Sequence, residues 1–279
     1  MTSLIGNAPV DGVDVAALLG IPISAEQERA VQAPLKPCAV IAGAGTGKTT
    51  VMAARVVWLV ASRLVSPEEI LGLTFTNKAT AELSERIESN LTRVGLLTSE
   101  QPRPTVATYD SFAGTLVNDY GAWDGISTGA HLITGARAYQ LAAEVVMGLD
   151  KAPLAATHMG PTFIAQAVVK LAGAMASHDA SPGKVRRADA RWRQMLLAAP
   201  TKRGGDRYAD IDKWLSRVDE REELLDLVAA YQNLKKERGL VEFGDRMVQA
   251  LHLVTHHPRV GEELRARYRV AVSYTHLTL

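Results

Sequence analysis

One cysteine, Cys38, is the whole thiol inventory of this 279-residue chain. No disulfide framework can hold it together, and a reducing cytoplasm suits it. Long apolar runs are missing too. No stretch of about 18 apolar residues offers a membrane span, and the start Met1-Thr2-Ser3-Leu4-Ile5-Gly6 lacks the basic residues and apolar stretch of a secretory signal. Neither sign of charge is in excess: 31 Lys and Arg against 30 Asp and Glu give a formal net charge of +1. Any nucleic-acid binding must therefore come from local patches. The seven histidines are scattered, and even His256-His257 has no cysteine or carboxylate at ligand spacing, which reads as surface or helix-end histidine rather than a metal centre. Internal repeats and low-complexity tracts are absent. The length suits one large or two modest domains.

What is present is concentrated in Ala42-Gly43-Ala44-Gly45-Thr46-Gly47-Lys48-Thr49. The short apolar run Cys38–Ile41 before it reads as a buried strand, and Thr50–Ser62 after it as a helix. A glycine-rich turn between strand and helix points backbone N–H groups at a bound anion, and the helix dipole favours negative charge there. Lys48 would reach the β- and γ-phosphates of a nucleotide, and the Thr49 hydroxyl would ligate Mg²⁺. The strict pattern begins with glycine; Ala42 is small enough to stand in.

Around this loop the chain alternates. Residues 1 to about 20 read as a loose leader. A short helix begins after Ser24, with Ser24 as N-cap and Gln27 closing a capping box. Pro67-Glu68-Glu69 opens another helical piece. Ile70–Phe75 reads as a second strand, Thr76-Asn77-Lys78 as a polar loop, Ala79–Val94 as a helix, and Thr105–Thr108 as a third strand. Strands alternating with helices indicate an α/β fold with a parallel sheet. From Phe112 to about Arg238 the pattern is almost wholly helical (136–147, 163–177, 188–199, 211–236), as in an all-helical domain inserted into the α/β one. Helices at 243–254 and 260–268 follow, and Arg269–Val272 reads as a fourth strand.

Three further constellations carry chemistry. The Gln27 amide is donor and acceptor at once and can pair with adenine on two edges, although capping alone also explains it. Leu73–Leu83 places Thr74, Thr76, Asn77 and Lys78 at the ligand-binding carboxyl edge of a parallel strand. There they can contact a phosphate backbone, with Phe75 either a base-stacking face or simply core. Thr108-Tyr109-Asp110-Ser111-Phe112 repeats that polar and aromatic interleaving at the next strand. In the helical insertion, Lys184, Arg186, Arg187, Arg191, Arg193, Lys202, Arg203 and Arg207 stand against Asp189 and Asp206, with Trp192 among them. This suits a DNA-gripping patch or, equally, a solvated basic face neutralised by the acid-rich 217–226.

In order and spacing, Gln27, the Gly-Ala-Gly-Thr-Gly-Lys-Thr loop, Leu-Thr-Phe-Thr-Asn-Lys-Ala and Thr-Tyr-Asp-Ser-Phe resemble superfamily 1 helicases of the UvrD/Rep/PcrA type, over roughly Ile21 to Val272. The wording of 52–60 and 71–76 resembles actinobacterial helicase–nuclease subunits of the AdnAB type. The resemblance implies a P-loop RecA-like sheet domain, 1A, over 21–112 and 239–272, interrupted by helical domain 1B at 113–238. It implies ATP and Mg²⁺ as cofactors, held by Gln27, Ala42, Gly43, Ala44, Gly45, Thr46, Gly47, Lys48, Thr49 and Thr50, with Thr49 on the metal and Lys48 and Thr49 catalytic. Single-stranded DNA or a duplex junction is the implied partner, contacted by Thr74, Phe75, Thr76, Asn77, Lys78, Tyr109 and Ser111. A heterodimer partner is implied if the AdnAB likeness holds. Asp110 stands where the family usually has histidine, and an acid beside a phosphate repels, so no DNA role passes to it. Val241-Glu242-Phe243-Gly244-Asp245 matches a family segment and reads as a structural junction.

In that family a strand such as Arg269–Val272 runs into Asp-Glu-x-Gln-Asp, which supplies the Mg²⁺-binding aspartate and the water-activating glutamate. Here Ser273-Tyr274-Thr275-His276-Leu277-Thr278-Leu279 carries no acid and resembles a translated sequencing adapter. The expectation is an N-terminal part of a 3′–5′ DNA helicase, with residues 273–279 a non-native tail, inactive alone in ATP hydrolysis. The alternatives are a RecBCD- or AdnAB-like helicase–nuclease subunit and a nucleotide- or DNA-binding module without motor activity; the DNA-type segment at 74–78 disfavours a P-loop kinase.

Overall fold

A computed structural model describes residues 10, 12–43, 45–127, 129–151, 153, 159–202 and 205–274. In chain order come α1 (Val15–Leu19), α2 (Ala25–Val31), α3 (Lys48–Ala61), β1 (Ile70–Thr74), α4 (Asn77–Arg93), β2 (Thr105–Thr108) and α5 (Tyr109–Tyr120). Then follow β3 (His131–Leu132), α6 (Gly135–Met147), α7 (Pro161–Ser177), α8 (Pro182–Leu197) and α9 (Ala209–Glu237). The last elements are β4 (Leu240–Val241), α10 (Phe243–His256), α11 (Pro258–Arg267) and β5 (Val270–Ser273). The chain divides into two compact units, residues 1–112 with 254–279, and residues 113–253.

The first unit is α/β. Its sheet has the order β2-β1-β5 and every pairing is parallel, with Gly72 opposite Val106 on one side and Val272 on the other. β1 is the central strand and is buried along nearly its whole length, as an apolar run covered on both faces should be. Against it pack α3, through Val56, Val57 and Leu59, and α4, through Leu83, Ile87 and Leu91 at four-residue spacing. Each such side chain contributes about 1.5–3 kcal/mol on burial.

Two expectations fail here. Val15 and Leu19 belong to this core, and Asp14 caps α1 by accepting from the Ala17 amide at 2.9 Å, so residues 15–19 are helix rather than loose leader. Residues 1–9 and 11 of that leader, and 275–279 of the tail, lie outside the described residues. The other failure is the run Cys38–Ile41, which forms no strand. Val40 and Ile41 are 56% and 87% exposed, and Cys38 is exposed rather than buried. The cause is geometric. Cys38, Val40 and Ile41 line one wall of a cavity of about 600 Å³, and Ala271, Val272 and Ser273 of β5 line another. No ladder bond closes across that gap, and an apolar run without a hydrogen-bonding neighbour does not become a strand.

The second unit is helical. Its core joins α6, α7 and α9 through Leu141, Ile164, Val168, Leu225, Val228 and Tyr231, all buried. The expected helices at 136–147, 163–177 and 211–236 hold, α8 begins at Pro182 rather than at 188, and α5 and a short strand pair were not expected. His131–Leu132 and Leu240–Val241 pair in parallel, a two-residue ladder too short for periodicity to reveal.

Candidate functional site

The site begins at the capped start of α2. The Ser24 hydroxyl accepts from the Gln27 amide N–H at 3.3 Å, and the Gln27 side-chain oxygen accepts from the Ser24 N–H at 2.9 Å. That capping box leaves Gln27 Nε2 free to donate elsewhere, and it donates to the Thr46 carbonyl at 3.0 Å. One glutamine thus caps its own helix and touches the glycine-rich loop, with one Nε2 hydrogen and one Oε1 lone pair left over for a further partner.

Within the loop, Gly45 and Gly47 hold left-handed φ of 76° and 79°, a region that favours glycine. At Gly47 a Cβ would also meet Gln27 Nε2 at 3.2 Å. The Thr46 hydroxyl donates to the Gly43 carbonyl at 2.8 Å, and Lys48 Nζ donates to the carbonyls of Ala42 at 3.1 Å and Gly43 at 2.7 Å. Lys48 opens α3, whose first turn carries no acid. The first-turn N–H groups of α3, the dipole, and a lysine at the loop mouth all favour an anion of phosphate type. Thr49 lines a smaller cavity of about 160 Å³ with Thr74, Glu82 and Tyr274, and Thr50 accepts from Arg86 at 3.0 Å. The loop fits a nucleotide's phosphates, and the Thr49 hydroxyl offers one oxygen to Mg²⁺, which is ordinarily held by one or two carboxylates beside substrate phosphates and waters. Ala44 lies outside the described residues.

Arg55 is a residue that sequence reasoning missed. From α3 it donates to the carbonyls of Ala30, Val31, Ala33 and Pro34 at 2.8–3.3 Å, tying down the C-terminal end of the helix that carries Gln27. Burial pushes the Arg55 pKa down, with the nearby Cys38 acting the other way, and carbonyl partners offset that desolvation. The available signal was a lone arginine inside the apolar run Val51–Val60. Arg55→Ala is expected to destabilise the α/β unit by on the order of 2 kcal/mol and to weaken nucleotide binding several-fold. Unaltered denaturant midpoint and affinity would remove this positioning role.

The second cluster sits at the carboxyl ends of β1 and β2. Phe75 is 60% exposed and its ring lies 5.0 Å from that of Tyr109, tilted by 48°. The Tyr109 hydroxyl also hydrogen-bonds the Ser273 hydroxyl. Phe75 is therefore surface, not core. Thr76, Asn77, Lys78 and Ser111 are exposed. Thr76 lies in the bend between β1 and α4, as expected, and is the N-cap of α4, accepting from the Ala79 N–H at 3.1 Å; Asn77 and Lys78 are not loop but the first helical turn. Thr74 departs from the surface reading: it is 1% exposed, its hydroxyl shared with Thr80 at 2.6 Å and placed 3.2 Å from the Thr76 carbonyl. It fixes the corner from which Phe75 projects.

In the helical unit, α9 neutralises much of the basic cluster. Arg186 pairs with Glu222 and Asp226 at 2.6 and 2.7 Å, Arg193 with Asp219, and Arg207 with Asp212 at 2.8 Å. Glu222, with Asp226, pushes the Arg186 pKa up. Arg203 lies outside the described residues. Glu242 and Asp245 meet at buried Lys235, 2.7 and 2.6 Å from its Nζ.

Among the described residues no three His, Cys, Asp or Glu side chains converge on a common point, and no helix is long and apolar enough to cross a membrane. A family model described as UvrD/REP helicase N-terminal domain matches residues 23–272. The chain is 37% identical over 97 residues to a probable DNA helicase II homolog of Rickettsia conorii, covering 35% of this chain and 14% of that protein. It is 45% identical over 75 residues to DNA helicase II of Escherichia coli, covering 27% and 10%. Against the ATP-dependent DNA helicase PcrA of Bacillus subtilis it is 48% identical over 65 residues, covering 23% and 9%. The matched stretches thus span a seventh or less of these relatives' own lengths.

Proposed function

The chain belongs to the UvrD/REP helicase N-terminal domain family, and on that premise we propose that it is the nucleotide-binding and DNA-contacting part of an ATP-dependent DNA helicase moving 3′ to 5′ on single strands. In this reading residues 21–112 and 239–272 are the RecA-like domain 1A and 113–238 the inserted domain 1B; the division into two compact units after residue 112 supports it, although the helical unit runs on to residue 253. ATP, when bound, supplies the phosphoanhydride bond whose cleavage drives the motor. The chain's own residues bind and orient it. Loop amides and Lys48 neutralise the phosphates, Thr49 offers its hydroxyl to Mg²⁺, and Gln27 presents an amide to adenine. Phe75 and Tyr109 offer ring faces to unpaired bases, while Thr76, Asn77, Lys78 and Ser111 offer donors to the phosphate backbone.

The observation that supports the reading is the Gln27 amide on the Thr46 carbonyl: the side chain proposed to read the base touches the turn proposed to bind phosphate. Titrating labelled ATP, GTP and an oligothymidylate tests it. The unmodified chain is expected to prefer ATP with Mg²⁺, and Gln27→Ala to lose most of that preference. Phe75→Ala should weaken oligonucleotide binding about tenfold, the worth of one stacked base, and leave ATP affinity unchanged. Equal affinity for ATP and GTP in the unmodified chain, or indifference of DNA binding to Phe75, would count against it.

A further inference from the structure

The basic cluster leaves a residue of chemistry that its ion pairs do not absorb. α8 is held to α9 by a polar seam. Its one buried residue is Asp189, bonded to Arg221 at 2.8 Å, and Arg186 and Arg193 add their pairs to α9 beside it. Val185 packs against the helical core, but three large apolar side chains of α8 lie outside that seam: Trp192, Met195 and Leu197 are 45%, 70% and 53% exposed. A helix that needed only to pack would turn these inward and its charges outward. Trp192 meets Trp214 of α9 edge-to-face, centroids 5.5 Å apart at 75°, and Trp214, 42% exposed, carries the Arg217 guanidinium 5.1 Å from its ring centroid. Nearby in sequence, Lys202 lies 5.6 Å from the half-exposed Tyr208 ring. Arg191, Lys213 and Arg217 are exposed and take no part in the ion pairs that bind α8 to α9.

We propose that the Trp192–Trp214 pair, flanked by Arg191, Lys213 and Arg217, is a second stacking platform for unpaired nucleic-acid bases, carried by the helical unit. Indole faces take up any base by stacking, and the cations beside them match a polyanionic backbone. An apolar protein partner would gain nothing from the Arg217 guanidinium on the Trp214 ring or from the exposed cations next to the two tryptophans in sequence, Arg191 and Lys213. A duplex hides its base faces and would use the charges alone. The proposal rests on the reading of the protein as DNA-handling, but uses residues disjoint from Gln27, the phosphate loop, Phe75 and Tyr109.

The whole chain is titrated with an oligothymidylate, following tryptophan emission and anisotropy. Binding is expected to quench the indoles. Trp192→Leu/Trp214→Leu, which keeps apolar bulk, should weaken binding about tenfold or more, and Trp192→Phe/Trp214→Phe should restore most of it. Arg191→Gln and Arg217→Gln should each lower the slope of log affinity against log salt by about 0.7. Circular dichroism melts confirm that each variant is folded; a leucine variant that does not fold is replaced by Trp192→Leu alone, for which a severalfold loss is expected. Unchanged affinity in the folded leucine variant overturns the platform while Phe75-sensitive binding persists, so the two sites fail separately. An abasic oligonucleotide or a duplex binding as tightly as the oligothymidylate also overturns it, as does quenching caused by self-association in sedimentation. Loss of all oligonucleotide binding in the unmodified chain would sink this proposal and the DNA reading together.

Discussion

Lys48→Ala is expected to weaken binding of Mg²⁺–ATP by about ten- to a hundredfold while leaving the folded state intact. The size follows from the interaction removed: a charge-assisted hydrogen bond contributes about 1.5–3 kcal/mol, and each 1.4 kcal/mol is about a factor of ten. The folded state should tolerate the change because what Lys48 Nζ holds here are two loop carbonyls, those of Ala42 and Gly43, in a largely exposed turn where water replaces the donor. Alanine at the first position of α3 is also a good helix former. Lys48→Arg should not rescue binding, because a planar fork does not reproduce a compact ammonium in a tight turn. Thr49→Ala makes the complementary case: ATP affinity should lose its dependence on Mg²⁺ while retaining the Lys48 contribution. Calorimetric titration of each variant with and without Mg²⁺ reads all three. A Lys48→Ala protein that binds ATP within twofold of the unmodified chain would remove the phosphate-loop assignment.

The geometry of the glycine-rich turn was legible because it is local. Left-handed φ at Gly45 and Gly47 and a lysine opening a helix are constraints that a dozen residues carry by themselves. The Ser24–Gln27 capping box was legible for the same reason. What the sequence hid was every fact that depends on a distant partner. The Gln27 contact to Thr46 spans 19 positions and is set up by Arg55, whose four carbonyl acceptors lie 21 to 25 positions away. Cys38–Ile41 has the composition of a strand, but composition names no neighbour to pair with, and across the cavity from β5 it has none. Thr74 and Phe75 were separable only with the sheet in hand. β1 is covered on both faces, so its last residue is buried and the next one projects. For the basic stretch 184–207 the sequence offered a DNA grip and neutralisation by 217–226 as equals, and only the pairs of Arg193 and Arg186 with α9, 26 to 40 positions later, show which cations are neutralised.

Lys235→Ala is expected to destabilise the helical unit by about 3–5 kcal/mol, the cost of breaking a buried ion pair by removing one partner. Lys235 is 1% exposed, and its ammonium faces two carboxylates, Glu242 and Asp245, at 2.7 and 2.6 Å. The Tyr231 hydroxyl donates to the same Glu242 oxygen at 2.8 Å, and Asp245 accepts from the Glu242 N–H at 2.8 Å. Removing the ammonium leaves two negative charges beside each other at the turn from α9 through β4 to α10. Lys235→Met keeps the volume and should lose nearly as much, which separates charge from cavity; Lys235→Met with Glu242→Gln and Asp245→Asn should recover most of the loss. Urea unfolding followed by helical circular dichroism gives these differences, and a Lys235→Ala change below about 1 kcal/mol would show the cluster to be solvated. The cluster also has a signature in pH. Burial first, and then the hydrogen bond to Glu242, pushes the Tyr231 phenol above its ordinary value of 10.0. A group raised on folding contributes stability that is complete below its unfolded pKa and is lost above it. Stability of the helical unit should therefore fall as pH rises beyond 10, and Tyr231→Phe should flatten that part of the slope.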